Sequence, residues 1–326
     1  MTDSASVLGK GSRRVGVIAA HSVDRFVFTV PDLDVAAKFY VAFGLDVYRY
    51  PDRLDLYTHG HSHCWGTIYA GGQRKQLQYI CYGIFAADEA FFARRIAEEG
   101  IAAEAHTLGK PGGLWLRDPD GVAIQLVVAD KVSPSAKCQA VLSTPPQPGQ
   151  GAAPSRSKVK PVRPRHLSHL LRFTPDVPRM IRFSEEVLGL RLSDHSGDGI
   201  AFMHTPHGSD HHLVAFAKSH APGLHHTSWD VGSFEEVGRG AEQMRSAGWD
   251  QGWGIGRHVL GSNYFYYVRD PWGSFCEYTF DIDFVASDVD WPAADHAPED
   301  SLYVWGPPLP ADFITNHEYP TTQPEQ

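Results

Sequence analysis

The stretch RFVFTVPDLD (residues 25–34) decides the fold of this chain, because it recurs in altered form as HLLRFTPDVP (residues 169–178). Each copy reads as an apolar strand followed by Pro-Asp, a pair that opens a helix. The helical sequences that follow run to Gly44 and Gly189, and a glycine there can take the left-handed C-cap conformation. The chain therefore contains an internal repeat, and each half begins with a strand and a helix.

Two further segments repeat in both halves. AADEAFFARRIAEEGI (residues 86–101) corresponds to VGSFEEVGRGAEQMRSAGW (residues 231–249), and both indicate helices. LRDPDGVAIQ (residues 116–125) then corresponds to VRDPWGSFCE (residues 268–277), where D-P-x-G predicts a tight turn between two strands. Each half thus holds two units of a strand, a helix and further strands, which predicts an α+β fold with four such units.

The segment between the halves has a different composition. Residues 131–165 are rich in Pro, Ser, Gln and Gly and carry seven Lys or Arg but no Asp or Glu, which predicts an exposed linker. We expect an N-terminal extension (1–21), an N-terminal domain (22–130), a linker (131–163), a C-terminal domain (164–283) and a C-terminal tail (284–326). The tail contains enough Trp, Tyr and Leu to dock on the domain as a structural strap, and a lid is the less favoured alternative.

The bulk composition excludes several function classes. The formal net charge is −9, which argues against a nucleic-acid or anionic-membrane surface. We expect no transmembrane helix, because no run of 18 apolar residues exists, and no signal peptide, because the N-terminus lacks an apolar core. The four cysteines form no C-x-x-C pair, so we expect reduced thiols and a cytoplasmic protein.

Three residues of the second half stand where strands can present metal ligands: His169, His226 and Glu277. Two imidazoles and one carboxylate on one face of a metal form the facial triad that suits non-haem Fe(II). This geometry leaves coordination positions open for a chelating substrate and O2. Glu277 lies in the apolar strand FCEYTF, where a carboxylate is costly without a partner, and this favours a metal-ligand role.

Neighbouring histidines compete for two of these positions. His166 competes with His169, but the strand alignment favours His169. Adjacent strand residues face opposite ways, so only one of His225 and His226 can face a cavity, and the match of HTSWDV to HLLRFT favours His226. His225 is then expected to point outward or to contact a ligand from behind. Aligning the halves places poor Fe(II) ligands opposite the triad, so the first half is expected to be metal-free. These opposing residues are Arg25, Gln78 and Gln125.

The most specific stretch is GRHVLGSNYFYYVRDPWGSFCE (residues 256–277), with a His, then a Tyr, a D-P-x-G turn and a Glu. It resembles the signature of the vicinal oxygen chelate superfamily and, within it, of the two-domain type I extradiol ring-cleaving dioxygenases. The resemblance spans roughly residues 22–283. It implies four βαβββ modules paired into two open-barrel domains of the glyoxalase-like fold, one of which holds metal. Two departures are Tyr266, where the family usually has an aliphatic residue or Phe, and Gly261, where it often has Asp.

The resemblance also implies site residues and a reaction. His211 or His212 takes the position of the acid/base histidine, and the spacing to His226 favours His211. Tyr267 takes the position of a tyrosine that hydrogen-bonds the substrate hydroxyl, and His258 that of a third histidine near the substrate. The implied reaction is Fe(II)-dependent extradiol cleavage of a catechol by O2 to a ring-opened semialdehyde acid. Mn(II) is a plausible substitute, and a homo-oligomer is expected.

Two other readings use the same scaffold. One is a non-oxygenase metalloenzyme of the superfamily, such as a glyoxalase-like isomerase, an epimerase or a thiol transferase. The other is a non-catalytic binding protein, against which the retention of three ligands in one half argues. The substrate pocket is expected in the C-terminal domain, with aromatic candidates Phe202, Trp229 and Trp253.

Overall fold

The computed structural model describes residues 11–141 and 148–320. The first half forms two modules of strands and one helix each. The first module contains β1 (Ser22–Val30), α1 (Leu33–Phe43), β2 (Asp46–Arg49), β3 (Arg53–Tyr57) and β4 (Cys64–Ala70). The second contains β5 (Gln76–Ile84), a 3-10 turn (Ala86–Asp88), α2 (Glu89–Glu98), β6 (Leu114–Arg117) and β7 (Ala123–Val128). The strand expected between α2 and β6 is reduced to one bridge, from Ala102 to Leu116.

The second half repeats this order and adds short tail elements. A 3-10 turn (Arg156–Lys158) precedes it. Its first module contains β8 (His166–Thr174), α3 (Val177–Glu186), β9 (Arg191–Ser196), β10 (Ile200–His204), β11 (Ser209–Asp210) and β12 (Val214–Lys218). Its second contains β13 (Gly223–Asp230), α4 (Phe234–Ser246), β14 (Gly252–His258), β15 (Tyr264–Arg269) and β16 (Phe275–Phe280). The tail adds β17 (Phe284–Val285), β18 (Ala294–Asp295), α5 (Pro298–Ser301) and β19 (Tyr303–Trp305).

Each half builds one large mixed sheet, and the α+β fold of four modules is confirmed. The first sheet has the strand order β2-β3-β4-β1-β5-β7-β6. The second has the order β18-β9-β10-β12-β8-β13-β16-β15-β14-β19, while β11 and β17 form a separate small pair. In both sheets the first strands of the two modules pair antiparallel at the centre, as β1 with β5 and β8 with β13. Two modules therefore meet at the middle of each sheet.

The Pro-Asp motifs begin helices as expected. Asp32 caps α1 by accepting hydrogen bonds from the backbone N–H groups of Asp34 and Val35, and Asp176 caps α3 through the N–H of Arg179. Gly44 ends α1 in the left-handed conformation, with φ 102°. The expectation for Gly189 was wrong in position: α3 ends at Glu186 with Val187 as its cap, and Gly189 takes φ 70° two residues later.

The two halves pack through a shared core. Arg172 of β8 donates a hydrogen bond of 2.6 Å to Asp118 of the first half, and both side chains are buried. The ring of Tyr278 stacks on Phe43 with centroids 4.0 Å apart, and its hydroxyl donates to the Phe43 carbonyl at 2.7 Å. A buried ion pair and a buried aromatic stack thus bind the halves into one body.

The linker is less exposed and makes more contacts than its composition predicted, and the tail packs along the second sheet. Residues 148–161 are exposed, but the ends of the linker are not. Lys131 is buried and donates to the carbonyls of Ser133 and Pro134, and Val162 is 1% exposed. In the tail, β18 pairs with β9 and β19 with β14, so the tail covers both edges of the second sheet as a strap would. No helix in the described ranges has the length and apolar character that crossing a bilayer requires.

Candidate metal centre and active site

Three adjacent strands of the second sheet bring the candidate ligands together. His169 of β8 lies opposite Ser228 of β13, and Ser228 lies opposite Glu277 of β16. His226 lies two residues before Ser228, so it faces the same side of the sheet. The sheet register therefore places two imidazoles and one carboxylate on one face.

The ligand atoms form a nearly equilateral triangle. His169 Nε2 and His226 Nε2 are 3.3 Å apart. Glu277 Oε2 lies 3.3 Å from the former and 3.5 Å from the latter. All three side chains are buried, with Glu277 completely so. Three atoms at this spacing can occupy one face of a metal's coordination sphere.

The charge state of this cluster fits a divalent cation. Glu277 Oε2 is buried and has no hydrogen-bond partner among the described residues. Burial holds the pKa of His226 well below its usual range, so this imidazole is neutral at neutral pH. An unpartnered carboxylate oxygen facing a neutral imidazole is costly in a protein interior unless a cation binds between them. The chemistry of these side chains therefore fits a divalent metal ion.

A β-bulge lets His225 and His226 both lie inside the fold. The pairing of β13 with β8 shifts between Leu224 and His226, so the strict alternation expected from the sequence does not hold at His225. His225 Nδ1 lies 2.6 Å from His226 Nδ1, and His225 Nε2 lies 2.7 Å from the carbonyl oxygen of Phe313. His225 thus lies behind His226 and does not point outward, and it also lines the cavity, so the expectation that only one of the two histidines faces it was wrong.

These contacts determine which nitrogen of His226 is free. A carbonyl only accepts, so His225 Nε2 carries the proton that it donates to Phe313. Burial lowers the pKa of His225 to about 4, so its Nδ1 is unprotonated at neutral pH and accepts from His226 Nδ1–H. His226 Nε2 is then left with a lone pair, which is the form that a metal ion binds.

The first half repeats the bulge but holds no such triad. Its β1–β5 pairing shifts at the equivalent place, between Val27 and Phe28. Arg25 pairs with Cys81 and Cys81 with Gln125, as His169 pairs with Ser228 and Ser228 with Glu277. The same register places Tyr79, and not Gln78, opposite His226, so that part of the sequence alignment was wrong by one residue. The two candidate metal-ligand groups in the described ranges both lie outside this half's sheet.

His166, the competitor of His169, belongs to a different cluster. Its ring nitrogens lie 3.5 Å from Asp210 and 3.5 Å from Asp230, and Cys138 is close by. Asp230 already accepts a hydrogen bond of 2.5 Å from Arg165. A guanidinium therefore balances the charge of Asp230, whereas no Lys or Arg of the described residues pairs with Glu277.

His212, not His211, lines the cavity above the triad. The ring centroids of His212 and His169 are 4.0 Å apart. His211 lies behind it, with Nδ1 3.1 Å from His212 Nδ1 and Nε2 2.9 Å from Asp194. The spacing to His226 favoured His211, but both residues lie in an irregular segment before β12, where the side-chain alternation of a strand does not apply. Burial and the neighbouring His169 hold the pKa of His212 well below its usual range.

Tyr267 and His258 form a pair beside Glu277. His258 Nδ1 donates to the Leu302 carbonyl at 2.8 Å, so its Nε2 accepts from the Tyr267 hydroxyl at 2.9 Å. The same Nε2 lies 3.9 Å from Glu277 Oε1. Burial lowers the pKa of His258 and raises that of Tyr267 well above its usual value, so both groups are neutral.

Asn263 was not among the residues selected from the sequence. Its side-chain amide donates to Glu277 Oε1 at 3.1 Å and to Thr279 at 2.7 Å. It lies two residues after Gly261, the position where the resembling family often has Asp. The only signal in the sequence was that departure, which did not show which neighbour would supply the contact.

The cavity over the triad is apolar apart from its functional side chains. Phe202 lines it as expected, whereas Trp229 is wholly buried against Phe26 and Trp253 packs behind Tyr267. The tail contributes part of the wall. The lining residues are His169, Leu171, Ile200, Phe202, His212, His225, His226, His258, Leu260, Asn263, Tyr267, Ser301, Leu302 and Phe313.

Comparison with known proteins supplies the family. Residues 166–278 match the family model of the glyoxalase/bleomycin resistance protein/dioxygenase superfamily. The chain is 51% identical over 301 residues to metapyrocatechase 2 of Cupriavidus necator, covering 92% of this chain and 93% of that protein.

Two solved structures share the fold at lower identity. The Mn(II)-bound glyoxalase of Novosphingobium aromaticivorans has a TM-score of 0.69 at 24% identity and covers 90% of this chain and 96% of its own. A variant of homoprotocatechuate 2,3-dioxygenase from Brevibacterium fuscum has a TM-score of 0.73 at 19% identity, covering 95% and 84%.

Proposed function

This chain belongs to the extradiol ring-cleaving dioxygenases, and we propose that it opens a catechol ring with O2 at a ferrous ion held by His169, His226 and Glu277. The observation that carries the proposal is the triangle of ligand atoms with its unpartnered carboxylate oxygen. Fe(II) suits two imidazoles and one carboxylate with open positions, and Mn(II) is a plausible substitute. When bound, the ion supplies a template for the diol and O2 and a path for electrons between them.

His212 is the proton carrier in this proposal. If His211 donates from Nε2 to Asp194, its Nδ1 accepts from His212 Nδ1–H. His212 Nε2 is then the unprotonated nitrogen of a neutral imidazole in the cavity. Such a group can take a proton from one catechol hydroxyl and return it when the ring opens. His211 acts through His212 by holding its ring and tautomer, and it does not touch the substrate.

Tyr267 and His258 serve the other side of the site. The Tyr267 hydroxyl gives its proton to His258, so its oxygen lone pairs remain available to accept a hydrogen bond from a substrate hydroxyl. Asn263 holds Oε1 of Glu277, which leaves Oε2 for the metal. The site therefore treats the two catechol oxygens differently, because His212 removes the proton of one hydroxyl whereas Tyr267 only accepts a hydrogen bond from the other.

The lining indicates the class of catechol. No Lys or Arg lies among the cavity-lining residues in the described part of the chain. Apolar side chains of Leu171, Ile200, Phe202 and Leu260 form much of the wall. A carboxylate buried there would lack a counter-charge, which is costly. We infer that the substrate is a catechol with uncharged substituents, such as an alkyl or aryl group.

Oxygen consumption tests the reaction class. Protein loaded anaerobically with Fe(II) is mixed in air with a panel of catechols, and O2 uptake is followed together with the yellow ring-opened product. Uptake accompanied by the yellow product supports the dioxygenase. Bound iron with no O2 uptake on any catechol would favour an isomerase, epimerase or thiol transferase of the same superfamily.

A further inference from the structure

The metal ligand His169 lies at the end of a short hydrogen-bonded chain that leads away from the cavity. Its Nδ1 lies 3.2 Å from the hydroxyl oxygen of Ser168. The Ser168 hydroxyl donates to Asp210 Oδ2 at 2.8 Å. Ser168 is 3% exposed and Asp210 is 2% exposed, so water does not compete for these bonds. None of the roles proposed above uses Ser168 or Asp210.

The chemistry of these three side chains determines which of them donates in each hydrogen bond. An ionised carboxylate only accepts hydrogen bonds, so the single hydroxyl proton of Ser168 goes to Asp210. The Ser168 oxygen can then only accept from His169, which places a proton on His169 Nδ1. His169 Nε2, the atom 3.3 Å from Glu277 Oε2, is left with its lone pair.

Asp210 is itself held in place. Its backbone pairs with Phe284 in the two-stranded sheet of β11 and β17, and its carboxylate lies 3.5 Å from His166 Nε2. The carboxylate is therefore fixed by the fold and does not depend on the metal for its position. A group that is already in place before the ion binds can prepare the ligand for it.

We propose that Asp210, acting through Ser168, is a positioning residue that holds His169 in the tautomer and ring orientation required for metal binding. The inference rests on the proposed function, because it assigns His169 as a ligand. It deepens that proposal, because it gives Ser168 and Asp210 the role of supporting the His169 ring. His225 and the Phe313 carbonyl support His226 in the same way. Removal of a carboxylate that supports a ligand histidine commonly weakens metal binding by about 10–100-fold.

The test measures metal affinity and not turnover. Metal-free wild type, Ser168→Ala and Asp210→Asn are titrated anaerobically with Fe(II) in competition with a chromogenic chelator. We expect Ser168→Ala to bind Fe(II) about 10–100-fold more weakly. Asp210→Asn should also weaken it, though less, because a neutral amide oxygen is a weaker acceptor for the Ser168 hydroxyl than a carboxylate. Ser168→Thr keeps the hydroxyl and should stay near the wild-type affinity.

Two matched control variants show whether weaker Fe(II) binding comes from the contact with His169 or from a general loss of protein stability. Asp55 accepts a hydroxyl hydrogen bond from Thr67 at 3.0 Å in the first half, and Ser184 donates to the Met180 carbonyl at 2.8 Å within α3. Asp55→Asn and Ser184→Ala should leave the Fe(II) affinity unchanged. Thermal melting of each metal-free variant reports folding, and Asp210→Asn serves if Ser168→Ala does not fold.

The outcomes distinguish the two proposals. A wild-type protein that binds no Fe(II) and no Mn(II) would overturn the metal site itself. A wild type that binds Fe(II), while folded Ser168→Ala and Asp210→Asn bind it equally tightly, would overturn the role of Asp210 alone. Equal weakening in the Asp55 and Ser184 controls would also overturn it, because the effect would then not depend on the contact with His169.

Discussion

Asn263 holds one oxygen of Glu277 and leaves the other free: its amide donates to Oε1 at 3.1 Å, while Oε2 has no hydrogen-bond partner in the described part of the chain. The free oxygen faces His169 and His226. Glu277 is the one carboxylate of the proposed ligand set, in which the other two members are imidazoles. The carboxylate should therefore dominate the attraction for the metal.

Replacement of the carboxylate should abolish iron retention. Glu277→Gln keeps the shape of the side chain but removes the negative charge and turns half of the group into a donor. We expect the iron content after anaerobic loading and desalting to fall at least about tenfold. Glu236→Gln is the control, since Glu236 accepts from the Gly232 N–H at 2.7 Å outside the cavity. Full iron occupancy in Glu277→Gln would refute the triad.

The two adjacent histidines should differ in their effect on turnover. His212→Asn removes the group proposed to carry the proton and should lower kcat by about 10²–10⁴-fold. His211→Asn removes only the support behind it and should have a smaller effect. Steady-state kinetics with iron content measured for each variant checks this order. A larger loss in His211→Asn would return the acid/base role to the residue that the sequence spacing preferred.

Charged catechols should be poor substrates. The described cavity wall contains no Lys or Arg, so a ring carboxylate would lie in an apolar environment without a counter-charge. We expect kcat/KM for 3,4-dihydroxybenzoate to be at least about 100-fold below that for an alkyl catechol, or about 3 kcal/mol. Parallel assays of catechol, methylcatechols, 2,3-dihydroxybiphenyl and 3,4-dihydroxybenzoate give the ratio. Comparable values for charged and uncharged substrates would contradict the inferred pocket chemistry.

The stability of the metal-free protein should fall in acid because of buried neutral histidines. Burial lowers the pKa of His21 to about 3 against an ordinary value of 6.5. The unfolded chain therefore binds a proton at this residue that the folded chain does not bind, from about pH 6.5 down to about pH 3. Above pH 6.5 its contribution to stability is complete, and it is lost as the pH falls through that window.

Substitution of His21 isolates this effect. His21→Gln should reduce the slope of unfolding free energy against pH by up to about 1.4 kcal/mol per pH unit between pH 4 and 6. His59→Gln is the matched control, because the His59 side chain is 63% exposed. Urea unfolding of the metal-free proteins at several pH values gives the slopes. Identical slopes in wild type and His21→Gln would show that His21 does not carry the proton linkage.

The repeated segments were sufficient to predict the four-module fold. The Pro-Asp caps and the D-P-x-G turns are local signals, and they recur at matching positions in both halves. The same repeat separated a half with possible ligands from a half without them. The alignment of the halves was wrong by one residue at Tyr79, because strand register is set by pairing with a distant strand.

The parts of the site that the sequence left open, as the choice between His211 and His212, or missed, as Asn263 and Phe313, come from chain segments outside regular strands. His212 lies in a bend, Asn263 follows a turn, and Phe313 belongs to the tail. Their contacts with the triad depend on how distant segments pack, so no periodicity in the sequence reports them. The tail was expected as a strap, and the structure adds that Leu302 and Phe313 contact His258 and His225 through backbone carbonyls.

The ratio of O2 consumed to catechol lost by the iron-loaded protein tests most directly whether this protein is a ring-cleaving dioxygenase. An oxygen electrode records the uptake while mass spectrometry identifies the product of an uncharged catechol. We expect one O2 to be consumed per catechol and a yellow product whose mass equals substrate plus O2, with no reaction in Glu277→Gln. Iron-loaded protein that consumes no O2 with any catechol, or a Glu277→Gln variant that is fully active, would contradict it.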